Sequence, residues 1–205
     1  MSVKLSYTPA MSKREATLLL LGYVFTLIWS YIGAYDHFTW FLEVLPTFIG
    51  LPLLFWTYKS YPLPRYLYWV LLIHACVLMI GGHYTYARVP LFDQLKPIMG
   101  WTRNNYDKVG HFFQGFVPAL LAQDILVRKV GVKQRTWVIF LSLCMALALS
   151  AAYELFEWQV ALWTGTKADD FLGAQGDVWD TQKDMMWALI GGSISFCWSK
   201  KMKEN

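Results

Sequence analysis

The chain has 205 residues, 56% of them apolar and only 16% charged, whereas a soluble domain of this size is nearer half apolar and a quarter charged. Its formal net charge of +4 is no nucleic-acid footprint, because the basic residues sit between apolar blocks. Cys76, Cys144 and Cys197 each lie inside an apolar block with no CxxC pair, which speaks against a disulfide framework or a zinc ribbon.

About 20 apolar residues cross a bilayer as a helix. The sequence therefore predicts an all-α, polytopic membrane helix bundle, one transmembrane domain over residues 1–205 with six spans. In chain order these are 16–34, 40–58, 66–84, 109–127, 137–160 and 184–199. The first follows a polar start with Lys4, Lys13 and Arg14, and the run from Ala16 to Gly33 is long for a cleaved signal peptide. It reads as a retained helix. Pro46 and Pro52 in span two and Pro118 in span four are positions where helices kink and cavities open. His74, alone in mid-span three, reads as a packing residue before a ligand. Gly191-Gly192 in span six suits close helix packing through small residues.

Lysine and arginine set the orientation. A cytoplasmic N-terminus places twelve of them on the cytoplasmic side and six opposite. Both termini are then cytoplasmic, and the longest connections, near 85–108 and 161–183, lie outside. Trp40, Trp56, Tyr58, Trp69, Trp101 and Trp163 fall at the expected interfaces, where amphipathic rings gather.

Ionisable residues inside spans are costly unless paired or facing a wet cavity, and here they cluster. Asp107 and His111, four apart at the start of span four, share one helix face. Helix initiation, with Lys108 snorkelling to the headgroups, is the simpler account of Asp107. Glu154 and Glu157, three apart in span five, would not both stay ionised at low dielectric without a cation or a shared proton. Glu157 could instead be interfacial. Asp177, Asp180 and Asp184 make one acidic stripe if their stretch is helical. Such a stripe suits an oxygen-ligand cation or a network with lysine and histidine, while N-capping accounts for one or two of the three.

The expected topology brings all three clusters into the outer half of the membrane, with His83 and Glu43 at the same level. The sequence carries no GxSxG, P-loop or HExxH motif, so serine hydrolase, nucleotide hydrolase and zinc protease readings lack support.

YDKVGHFFQGFVPAL, SAAYELFEW and FLGAQGDVWDTQKDM resemble the signatures of the YjdF-like family of bacterial inner-membrane proteins, a domain of unknown function. A weaker similarity reaches the VanZ-like membrane proteins, some associated with glycopeptide resistance. There the matching positions would be Asp107, Lys108 and His111, then Glu154, then Asp177 or Asp180. The resemblance implies a bacterial cytoplasmic-membrane location and no established reaction.

The leading functional expectation is a polar site open to the outer leaflet that binds or acts on a lipid or cell-envelope precursor. Glu154 is its expected general acid or base, with His111 as ligand or proton carrier oriented by Asp107. Asp177, Asp180 and Asp184, joined by Glu157 and His83, are the expected ligands of a divalent cation such as magnesium, manganese or zinc. Lys108 is the expected partner of a lipid phosphate. Membrane lipids are the expected partners, without nucleic acid, and a homo-oligomer is open. Two alternatives remain: a proton- or metal-ion-coupled transporter, and a structural membrane protein whose polar residues only fix the bundle.

Overall fold

Among the described residues, apolar blocks and local caps set eight α-helices. The computed structural model describes residues 11–165, 169–172 and 174–204. Helix α1 (Lys13–Tyr31) starts with a capping box: Glu15 N–H donates to the Ser12 hydroxyl at 3.2 Å, and the Glu15 carboxylate accepts from Ser12 N–H at 3.4 Å. Helix α2 (His37–Thr57) is capped by Asp36, which accepts from Thr39 N–H at 2.6 Å. Helix α3 (Arg65–Tyr84) leads to a short α4 (Pro90–Met99) with proline in its first turn, a position that needs no N–H partner. Helix α5 (Tyr106–Ile125) ends in a π-type turn over Leu126–Val130. The 30-residue α6 (Arg135–Thr164), a single turn α7 (Asp169–Leu172) and α8 (Asp180–Glu204) complete the bundle.

Each expected span falls on one of the long helices. Among the described residues, α2, α3 and α6 are long and apolar enough to cross a membrane by length and composition. The other three long helices carry more charge: α1 begins on Lys13-Arg14-Glu15, α5 holds Asp107, Lys108 and Asp124, and α8 holds Asp180, Lys183 and Asp184. The structure also differs from the expected connections. The segment 85–108 contains α4, and α8 begins at Asp180 instead of residue 184. That early start puts Asp180 and Asp184 one turn apart on a helix and leaves Asp177 in the turn before it.

Tyr23, Trp40, Val44, Ala75 and Met79 join α1, α2 and α3. Leu67, Val70, Phe116, Val117 and Leu120 join α3 to α5. The most extensive helix contact pairs α5 with α8, and glycines make it close. A Cβ on Gly115 would fall 1.7 Å from the Ala188 carbonyl oxygen, and one on Gly191 would fall 2.0 Å from that of Phe112. No side chain fits there, so the backbones touch directly.

The turn after α3 holds two consecutive non-glycine residues with left-handed backbone, Thr85 (φ 56°) and Tyr86 (φ 52°), a costly conformation. It drives the Tyr86 ring between α3 and α5, where a Cβ on Gly81 or Gly110 would meet it at 2.0 or 2.7 Å.

Candidate functional site

Helices α5 and α8 run parallel and stay in register, so their paired residues form rungs four residues apart on each helix. The first rung is Asp107 with Asp180. Between them lies Arg103, from the segment before α5, whose guanidinium donates to both carboxylates. The second rung is His111 with Asp184, whose Nε2 and Oδ2 are 3.8 Å apart. The third is the Gly115–Ala188 backbone contact, which closes the seam one turn below. At ~1.5 Å per residue, His111 and Asp184 lie only about 6–8 Å into their helices.

Helix α6 supplies the other wall. Glu154 Oε1 lies 3.7 Å from His111 Nδ1. The same nitrogen pairs with Gln114 Oε1 at 2.8 Å. Since an amide oxygen only accepts, His111 donates from Nδ1, and in the neutral ring its Nε2 lone pair then faces the Asp184 carboxylate. Acceptor faces acceptor across that rung unless a proton or cation lies between them. Glu154 Oε1 and Asp184 Oδ1 are also buried without a hydrogen-bond partner among the described residues. Glu154 is 8% exposed and Asp184 4%, so bulk water does not reach those oxygens, and leaving them unpaired is costly.

Arg103 is itself buried. Burial opposes its charge, but Asp107 and then Asp180 outweigh that and hold the guanidinium pKa above its ordinary value. Its segment is fixed by Gln175: Asn104 N–H donates to Gln175 Oε1 at 3.0 Å, and Gln175 Nε2 donates to the Asn104 carbonyl at 2.9 Å. Asp177 pairs with Lys183 at 2.5 Å and lies 3.5 Å from Arg103. The Lys183 hydrogen bond, helped by Trp179 N–H, holds the Asp177 carboxyl below the usual range.

Two groups of three residues each offer donor atoms within 4.8 Å of one another: His111, Glu154 and Asp184, and Asp107, Asp180 and Asp184. The second already holds the Arg103 guanidinium; the first holds no arginine or lysine ion pair among the described residues. Of the residues singled out from sequence, Asp107, His111, Glu154, Asp180 and Asp184 therefore converge. Glu157 is buried on α6, one turn from Glu154. Asp177 is committed to Lys183. Lys108 Nζ donates to Asn105 Oδ1 at 2.5 Å. His83 stands apart on the α1–α3 seam, stacked on Trp29 with Nδ1 3.0 Å from the Ser30 carbonyl. Sequence reasoning missed Arg103 and Gln114 as site members. The signal available was spacing: Arg103 precedes Asp107 by four, and Gln114 follows His111 by three.

Together these features define a helical membrane protein with a buried carboxylate–histidine site at one end of its bundle. The chain belongs to the family described as predicted membrane protein (DUF2238), whose sequence profile matches residues 15–205. It is 54% identical over 165 residues to "Inner membrane protein YjdF" of Escherichia coli (strain K12), covering 80% of this chain and 79% of that relative. The bacterial inner membrane suggested by the motifs is accordingly its location. No solved structure matches. The VanZ-like similarity rests on the sequence motifs alone.

Proposed function

We propose that six helices cross the inner membrane with both termini in the cytoplasm, and that the site, in the outer half, holds a divalent cation and binds or acts on a phosphate-bearing lipid or envelope precursor. The observation that carries this reading is the His111–Asp184 rung. It faces the partnerless Glu154 oxygen and lies directly below a rung whose carboxylates are already bridged by Arg103.

An imidazole with two carboxylates suits zinc or manganese better than magnesium, which prefers oxygen alone. Ligands ~2.1 Å from a tetrahedral ion lie about 3.4 Å apart. His111 Nε2, the nitrogen not bonded to Gln114, lies 3.8 Å from Asp184 Oδ2. One donor atom from each of His111, Glu154 and Asp184 lies within 4.8 Å of the other two, so ion binding needs the site to contract. The cation would supply charge for a phosphate and polarise it. Gln114 would fix the His111 ring, and Arg103 would keep Asp107 and Asp180 ionised. Lys108, half-buried at the start of α5, would face the headgroup. The Gly115–Ala188 contact closes the α5–α8 seam beneath the site, which weighs against a transport relay along it.

The test is metal content and thermal stability of the detergent-solubilised protein with magnesium, manganese, zinc or chelator added. Free cation at ~100 times its Kd adds about 2.7 kcal/mol to stability. Stoichiometric metal and a cation-dependent rise in the parent, both lost in Glu154→Gln and Asp184→Asn, are expected. Asp180→Asn should keep the cation response. No metal and no response in a folded parent would sink the cation site.

A further inference from the structure

A cavity lies at the other end of the bundle from the polar site, and its chemistry is the opposite. It has a volume of about 550 Å³ and is walled by α1, α2, α3 and α5, from Ala16 and Leu20 across Gly50 to Leu71 and Pro118. Pro46 and Pro118 both line it, each inside its helix, where a proline removes a backbone hydrogen bond and favours a kink. The wall presents mostly hydrocarbon, and its hydroxyls are spent within the fold; the exception among its polar groups is His74, whose Nε2 has no hydrogen-bond partner among the described residues. The Tyr23 and Thr47 hydroxyls pair at 3.1 Å, Thr17 donates to the Lys13 carbonyl at 2.9 Å, and the Tyr68 hydroxyl accepts from Leu63 N–H at 3.1 Å. A space so lined stays dry and takes up apolar matter instead of water.

Two further features specify the occupant. Along α1 the cavity runs from Lys13 to Tyr23, about 15 Å of helix rise, which is half of a ~30 Å hydrocarbon core and thus the depth of one leaflet. At its mouth stands Lys13, exposed and without an ion pair among the described residues, whereas the nearby Glu15 is neutralised by Arg65. A basic side chain at the headgroup end of a one-leaflet apolar slot complements a phosphate.

We propose that this cavity binds one acyl chain of an anionic phospholipid, with the lipid phosphate resting on Lys13. The proposal is independent of the cation site, since it shares no residue with it.

Gly50 offers a gentle block, because a Cβ there meets nothing within 4 Å. The measurement is native mass spectrometry of the full chain, after purification in detergent and after passage through nanodiscs of equal phosphatidylglycerol and phosphatidylcholine. The parent is expected to retain phospholipid stoichiometrically, with phosphatidylglycerol preferred, and Gly50→Trp to lose it while melting like the parent. Ile49→Phe adds bulk to the exposed face of the same helix, outside the cavity, and should retain lipid. If the tryptophan prevents folding, Gly50→Leu carries the same expectation. Lys13→Gln should lower the preference for phosphatidylglycerol about fivefold, the worth of one basic side chain at an anionic surface. Equal lipid retention in the folded Gly50 variant and the parent, or equal retention of the two lipids by the parent, would overturn the proposal.

Discussion

Gly115 of α5 rests on Ala188 of α8 so closely that a single added methyl would fall 1.7 Å from the Ala188 carbonyl oxygen. The obstacle is backbone, which cannot swing aside as a side chain can. Gly115→Ala should therefore cost at least the ~1–3 kcal/mol of ordinary overpacking. Gly192→Ala, where the new Cβ would meet the Ala146 and Leu143 side chains at 3.3 Å and the Gly115 carbonyl oxygen at an ordinary 3.6 Å, should cost clearly less. Unfolding of both variants in detergent measures the contrast, and equal losses would mean that the α5–α8 seam yields.

The Arg103 guanidinium is the cation of the upper rung, and its removal leaves Asp107 and Asp180 buried and uncompensated. Breaking a buried pair in this way costs about 3–5 kcal/mol, so Arg103→Ala should be among the most destabilising substitutions in the chain. Arg103→Lys should recover only part, because one ammonium cannot reproduce a fork that reaches two carboxylates. Asp107→Asn placed in the Arg103→Ala background should restore stability, giving a coupling of roughly 0.5–3 kcal/mol in a double-mutant cycle. Additive losses would mean that the rung holds together by other contacts.

The long helices were legible because apolar runs of span length have few other outcomes, and topology then brought His111, Glu154 and Asp184 to one level. Pairing was harder to read. Arg103 lies in a connection that counts as surface on hydropathy, and its burial depends on the Gln175–Asn104 hydrogen bonds, 71 residues apart in sequence. The acidic stripe was half legible: α8 starts at Asp180, so Asp177 precedes the helix and turns to Lys183. His83 packs on Trp29 of α1, and periodicity along one helix cannot say which neighbour a face will meet. The α4 helix was hidden in the connection, although Pro90 and the Asp93–Lys96 pair, with its 2.8 Å contact, are the marks of a helical first turn.

Asp177 gives a pH-dependent contribution with a definite sign. Its carboxyl, held down by Lys183, has a folded pKa below the unfolded one. Its stabilisation is therefore complete above the unfolded pKa of about 3.9 and lost as pH falls through the lower folded value. Asp177→Asn should melt below the parent at neutral pH, and the gap should close as the pH is lowered past about 4. A gap that stays constant with pH would show that the charge of Asp177 contributes nothing.

Tyr86 combines a left-handed backbone with a buried hydroxyl that has no hydrogen-bond partner among the described residues. The ring fills the space between Gly81 and Gly110, so truncation to alanine should cost about 3–5 kcal/mol, as for other buried aromatics. The hydroxyl is different, because a buried donor without a partner carries a desolvation cost and no return. Tyr86→Phe should thus melt at or slightly above the parent. The hydroxyl is within electrostatic reach of Glu43, Glu157 and Asp107, so the same variant also bears on the cation site. If Tyr86→Phe melts like the parent yet loses the cation-dependent rise, the hydroxyl meets the bound ligand and its strain serves the site. If it melts well below the parent, the hydroxyl is bonded within the fold, and the left-handed turn at Thr85 and Tyr86 is held by that bond instead of by ring packing.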